Sequence, residues 1–175
     1  NGRLLMIKEE LLHYIWQYQL FDRTHLHTEE GIPITLLKTG TLNTHSGPDF
    51  ENSRLLIGEL EWVGKVEVHV IASDWLKHNH TNDPAYDSVI LHVVWESDIL
   101  IKRKDGSIIP ALSLKGRVKK ELLEKYVLLK DSQLKIPCET FFDIQSDLNK
   151  FSMLEKALAK RLERKAALIV DLYEK

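Results

Sequence analysis

The residues best suited to chemistry are concentrated between positions 45 and 92. Five of the eight histidines lie there: His45, His69, His78, His80 and His92. They are interspersed with carboxylates and with apolar residues typical of strands. Histidines and carboxylates gathered on strands and their connecting loops are typical of a metal site or an acid–base site.

A carboxylate pair forms the first candidate site. Asp49 lies in a loop that enters a strand, and Glu67 lies on the next predicted strand, with His69 on the same face two residues later. If these strands pair, both carboxylates can hold one Mg²⁺ or Mn²⁺ ion, which orients water against a phosphodiester. We therefore predict Asp49, Glu67 and His69 as catalytic residues, with both carboxylates as metal ligands and His69 handling a proton or the developing charge. The rim of this cleft is predicted to contain His78, His80 and Asp74.

The His78-Asn79-His80 segment forms the second candidate site. Together with His69 it offers the three protein ligands of a catalytic zinc centre, and Asp74, Asp83 and His92 are further candidate ligands. The two-residue spacing directs both imidazoles to one metal ion if the segment is extended. Alternatively, these histidines only hydrogen-bond a polar loop and bind no metal. His92 lies in a very apolar strand, where it is either a core residue or a residue that orients a catalytic carboxylate.

The candidate residues lie mainly on predicted strands, and predicted helices lie at both ends of the chain. Apolar spacing predicts an amphipathic helix over 6–18, and the residues at 32–37 predict an edge strand. Strands follow at 54–62 and 65–70, joined by a turn at Val63-Gly64, and alternation places Glu67 and His69 on a face free for chemistry. A central buried strand at 88–96 and a hairpin turning at Asp105-Gly106 complete the sheet.

The last third of the chain reads as helical. Apolar residues from Leu148 to Leu172 recur on one side of a long helix. We expect this stripe to pack on residues beyond the present chain, from a longer protein, or on a partner chain. The fold class is mixed α/β (α+β), a central mixed sheet flanked by an N-terminal helix and long C-terminal helices, with a core domain at 6–115 and a helical segment at 116–175.

Composition limits the remaining function classes. The 175 residues are 43% hydrophobic and 29% charged, and the net charge is −2, so no strong attraction of the whole protein to nucleic acid is expected. No apolar run is long enough to span a membrane. The single cysteine, Cys138, fits a reducing cytoplasm.

The order of Pro48-Asp49 and Glu67-Val68-His69, after a helix and before another strand, resembles the PD-(D/E)xK nuclease superfamily. The resemblance implies a restriction-endonuclease-like core, Mg²⁺- or Mn²⁺-dependent phosphodiester cleavage and a nucleic-acid partner. His69 stands where the superfamily pattern has lysine.

A wider resemblance covers most of the chain. The segments that carry it are 12–16, 46–50, 62–69, 73–80, Tyr86 and 89–94. They resemble an uncharacterised bacterial family of unknown function whose members are longer, and this resemblance implies no activity. The sequence is therefore compatible with three functions: a metal-dependent phosphodiester hydrolase at Asp49, Glu67 and His69; a non-catalytic binding or scaffold module; and a zinc hydrolase at His69, His78 and His80.

Overall fold

The structure is a computed structural model that describes residues 7–134, 139 and 144–173. The side chains at 168, 171 and 172 are outside this description, as are Cys138 and the first residue of the predicted N-terminal helix. The chain divides into two compact units, residues 1–124 and 125–175. The boundary at 115/116 predicted from the sequence stays a prediction.

Helices and strands alternate irregularly in the first unit, and the described elements of the second unit are helices. In chain order the elements are α1 (Glu9–Gln17), β1 (Ile34–Lys38), β2 (Thr41–Leu42), β3 (Phe50–Ile57), β4 (Leu60–Ile71), α2 (Asp74–Lys77), two 3₁₀ turns (His80–Asn82 and Pro84–Tyr86), β5 (Val89–Glu96), β6 (Ala111–Ser113), α3 (Lys120–Lys130) and α4 (Asp147–Tyr173).

One mixed sheet organises the first unit, which confirms the mixed α+β class. Its strand order is β1-β3-β4-β5-β6, with β2 paired to the other end of β3. The pairs up to β3–β4 are antiparallel, whereas β4–β5 and β5–β6 are parallel. β1 is an edge strand as predicted, and the apolar β5 is buried between β4 and β6. Helix α1 buries Leu12, Ile15 and Trp16 and contacts β4.

The predicted turn at Val63-Gly64 is wrong. The chain instead reverses at Gly58-Glu59, where Gly58 adopts a positive φ of 63° that suits a tight turn. Gly64 lies inside β4 at a close approach to β5, because a Cβ atom added there would lie 2.5 Å from Ile90 Cγ2. This glycine allows two strands to pair closely, and β4 therefore runs for 12 residues.

The expectation of a free face on β4 is also wrong. Glu67 is 5% exposed and His69 is 1% exposed, and Val66 and Val68 on the opposite face are buried as well. The reason is tertiary, since α1 and α2 both contact β4. The chemistry-bearing face is an interior surface.

The turn predicted at Asp105-Gly106 is confirmed, but the hairpin is not a pair of sheet strands, because the residues before the turn form no strand. Arg103 N–H donates to the carbonyl of Ser107 at 2.8 Å, and Lys102 and Ile108 form an isolated antiparallel bridge. After the turn the chain enters β6, which pairs in parallel with β5.

Helix α4 contains the long amphipathic pattern. It spans 27 residues, and the large apolar side chains described along it are exposed. The packing of this stripe on further residues or on a partner chain stays a prediction.

Candidate metal centre

Three histidines converge beside the carboxyl-terminal end of β4. His69 comes from β4, His78 follows α2, and His80 begins the first 3₁₀ turn. Each offers one ring nitrogen, and these three atoms lie within 4.8 Å of one another. His69 Nε2 lies 3.1 Å from His78 Nδ1. The structure thus joins a strand residue to the predicted His78-Asn79-His80 segment in one cluster that can hold a metal ion.

The local backbone of this segment differs from the expectation. The segment is not extended, because His78 ends a helical turn and His80 starts a 3₁₀ turn. Asn79 between them adopts a left-handed conformation, with φ 58° and ψ 29°. Asparagine tolerates this conformation better than most residues. One left-handed residue between two helical turns therefore brings together imidazoles that a continuous helix would separate.

Glu67 lies directly beside two of the histidines. Its Oε1 atom is 3.5 Å from His69 Nε2 and 3.3 Å from His80 Nε2. Its Oε2 atom accepts the backbone N–H of Asp49 at 3.1 Å. Burial raises the pKa of the Glu67 carboxyl to about 7; the negative charge of Asp49 adds to the effect, and contact with His80 opposes it.

Asp49 adjoins Glu67, as the strand pairing predicted, but its carboxylate is occupied by other partners. Asp49 Oδ2 accepts the backbone N–H of Val68 at 2.9 Å. The same oxygen lies 3.1 Å from His13 Nε2, and both side chains are 23% exposed. Burial alone lowers the pKa of His13, but contact with Asp49 outweighs burial and raises it.

His13 is a site residue that the sequence reasoning missed. It lies in α1, between the buried Leu12 and the exposed Tyr14, and only its position at the border of the apolar face could have marked it. Its contact with Asp49 links the N-terminal helix to the start of β3.

His92 supports the cluster from β5 and is completely buried. Its Nε2 atom lies 2.8 Å from His69 Nδ1, and its Nδ1 has no hydrogen-bond partner among the described residues. Burial lowers the pKa of His92 to about 3. Burial and the neighbouring histidines lower the pKa of His69 to about 2. Both rings are therefore neutral at pH 7, which is the form that binds metal.

Two aromatic residues fix the positions of these rings. Tyr86 stacks on His80 with 3.8 Å between ring centroids and an interplanar angle of 19°. Trp75 lies edge-on to His69 and His80, and its Nε1 donates to Thr81 Oγ1 at 3.0 Å. Buried aromatic packing limits the rotamers of the neighbouring histidines.

Other predicted candidates lie outside the cluster. His45 is exposed, and Asp74 pairs with Lys77. Asp83 accepts the backbone N–H of Ala85 at 2.9 Å and caps a 3₁₀ turn. The catalytic roles predicted for Asp49, Glu67 and His69 stay predictions, although these residues are neighbours in the structure.

The arrangement suits a metal ion that accepts imidazole ligands. Ligand–metal distances of about 2.0–2.1 Å in tetrahedral zinc sites correspond to separations of about 3.3 Å between ligand atoms. The 3.1 Å separation of His69 Nε2 and His78 Nδ1 fits this geometry. Zn²⁺ is compatible with the site, whereas Mg²⁺ and Mn²⁺ prefer oxygen ligands.

Fold and site together define a mixed α+β domain with a histidine cluster at one end of its central sheet. The chain belongs to the family described as protein of unknown function (DUF2851), whose model matches residues 9–175. The wider family resemblance is thus confirmed, while the resemblance to nucleases stays a prediction. Searches of curated proteins and of solved structures found no significant match. None of the helices in the described part of the chain is long and apolar enough to cross a membrane.

Proposed function

We propose that this domain is a metal-dependent hydrolase whose divalent metal ion is held by His69, His78 and His80. The observation that carries the proposal is the convergence of three histidine nitrogens within 4.8 Å, from a strand and two successive turns. Such convergence brings together residues 11 positions apart in the chain.

Exposure favours a catalytic role over a purely structural one. His69 is buried, whereas His78 is exposed, so one side of the cluster is open to solvent. Structural zinc sites are usually closed by four ligands that include cysteines, whereas catalytic sites keep a position for water. The described cluster contains no cysteine.

The residues around the cluster provide the parts that hydrolysis requires. When bound, the metal ion activates water for attack and polarises the bond to be broken. His69 and His80 would hold this ion in a defined position, since His92 contacts the His69 ring and Trp75 and Tyr86 pack against the His80 ring. The His13–Asp49 pair adjoins Glu67 through the hydrogen bond from the Asp49 N–H, and His13 would be the group there that gives up or takes a proton.

A second candidate is the phosphodiester hydrolase that uses Asp49, Glu67 and His69 with Mg²⁺ or Mn²⁺. The contact between Asp49 N–H and Glu67 Oε2 supports it, since it brings the two carboxyl-bearing residues together. Nucleic acid would then be the partner. This candidate ranks second because Asp49 Oδ2 is already engaged by Val68 and His13.

Replacing His78 tests the leading proposal with little risk to folding, because His78 is exposed. We expect purified wild-type protein to bind about one equivalent of Zn²⁺ or a similar ion. The His78→Ala variant should lose most of this metal and most of the hydrolytic activity found with a panel of ester, amide and phosphodiester substrates. Elemental analysis and activity assays give the two readouts.

His45→Ala is the matched control, since His45 is an exposed histidine outside the cluster. It should retain wild-type metal content. Activity with Mg²⁺ that survives His78→Ala and disappears in Asp49→Ala would support the second candidate. Absence of both metal binding and activity would favour the non-catalytic module.

A further inference from the structure

We infer that Glu67 is a fourth protein ligand of the metal ion, which makes the centre a three-histidine, one-carboxylate site. The inference rests on the proposed metal centre and deepens it, because it identifies a fourth protein ligand. It also separates the roles of the two predicted carboxylate ligands, since Asp49 becomes a positioning residue.

Distances provide the first argument. Glu67 Oε1 lies 3.5 Å from His69 Nε2 and 3.3 Å from His80 Nε2. Atoms that share one metal ion at about 2.0–2.2 Å are separated by roughly 3 Å or slightly more. The carboxylate oxygen thus stands at ligand spacing from two of the three histidines.

Burial and charge provide the second argument. Glu67 is 5% exposed, and no lysine or arginine is paired with it among the described residues. A buried carboxylate is costly unless it is neutralised by a partner or by a metal ion. The groups closest to its Oε1 atom are two histidine ring nitrogens, and a cation bound between them would offset this cost.

Asp49 controls which oxygen of Glu67 is available. Its backbone N–H donates to Glu67 Oε2, so Oε1 is left to face the histidines. The Asp49 carboxylate in turn accepts the N–H of Val68, the residue after Glu67. This reciprocal pair of hydrogen bonds fixes the Glu67 backbone and side chain together. Hydrogen bonds of this kind orient ligating carboxylates in known metal sites.

Four protein ligands have a consequence for metal choice. A tetrahedral ion would have no position left for water, whereas an ion that takes five or six ligands would keep one or two. The imidazole-rich set suits Zn²⁺, Fe²⁺ or Ni²⁺, and the added carboxylate improves the fit to Mn²⁺. Because the proposed hydrolysis needs a water molecule on the ion, we expect a five- or six-coordinate centre instead of a tetrahedral one.

Titration with Co²⁺ tests the inference without any substrate. We expect wild-type protein to bind Co²⁺ with the weak visible absorption of a five- or six-coordinate ion. In Glu67→Gln the affinity should fall more than about 100-fold, since losing even an outer-shell partner of a ligand costs 10–100-fold. The absorption should also change in shape and intensity.

Glu59→Gln is the matched control, because Glu59 is an exposed carboxylate in the turn before β4. Circular dichroism of the metal-free variants checks folding, and Glu67→Asp, which retracts the oxygen by one methylene, replaces Glu67→Gln if the latter does not fold. Glu67→Gln with affinity within about tenfold of wild type and an unchanged spectrum overturns the inference but leaves the three-histidine centre intact. Wild-type protein that does not bind Co²⁺ overturns both.

Discussion

At the scale of single residues, His92 shows how the interior of this domain prepares a metal ligand. A metal ion on His69 Nε2 requires the ring proton on Nδ1, and His92 Nε2 at 2.8 Å is its acceptor. Outer-shell acceptors of this kind are usually carboxylates or carbonyl groups. A neutral histidine performs the role here because burial lowers its pKa to about 3.

Replacing His92 should therefore weaken metal binding although none of the metal-binding residues is altered. We expect His92→Leu to lower the affinity for Zn²⁺ about 10–100-fold, because the N–H of His69 loses its acceptor. His92→Gln retains an acceptor and should lose less. Competition with a chromophoric chelator measures both, and equal affinity in His92→Leu and wild type would contradict the assigned role.

At the scale of elements, the segment from α2 to the second 3₁₀ turn supplies most of the site. It contains two of the three clustered histidines and the aromatic residues Trp75 and Tyr86, and it covers the face of β4 that carries His69. The left-handed Asn79 sets the direction of both imidazoles. A short irregular segment can place ligands in this way only because aromatic packing holds it against the sheet.

Substitutions of Asn79 should show this dependence on backbone conformation. Asn79→Gly accepts a positive φ and should retain metal binding, whereas Asn79→Val should destabilise the fold by roughly 1–2 kcal/mol and bind metal weakly. Chemical denaturation with and without Zn²⁺ measures both effects. Metal affinity in Asn79→Val equal to that of Asn79→Gly would show that φ at this position does not matter.

At the scale of the whole molecule, the buried titratable groups of the site make stability depend on pH. His69 and His92 are neutral when folded, with pKa values lowered to about 2 and about 3, against an ordinary value of 6.5. Between these values the unfolded chain binds more protons, so acid favours unfolding. Glu67, with its pKa raised from 4.5 to about 7, binds its proton in the folded state and acts in the opposite direction.

Two histidines against one carboxyl leave a net uptake of roughly one proton on unfolding between about pH 4.5 and 6.5. We expect the free energy of unfolding of the metal-free protein to fall by about 1 kcal/mol per pH unit as pH decreases through this window. Urea titrations at several pH values measure it. His92→Leu should have a much flatter profile, and constant or rising stability in wild type toward pH 5 would contradict the expectation.

Helix α4 exposes a stripe of large apolar side chains. Phe151, Leu154 and Leu158 lie on a helix with a polar opposite side, and they are 65%, 64% and 58% exposed. Exposed apolar stripes of this length usually mark an interaction surface. Packing of this helix on further residues or on a partner chain stays a prediction.

The sequence by itself determined the fold class, the N-terminal helix, the buried β5 and the neighbourhood of Asp49 and Glu67. These follow from local periodicity and from the pairing of adjacent strands, which depend on residues near one another in the chain. It also marked His69, His78 and His80 as a candidate zinc set. The tertiary structure decided which candidates meet, because α1 and the segment after β4 cover a face that alternation alone would leave open. It added His13 and made His92 a partner of His69, since no local pattern records which elements pack against a strand.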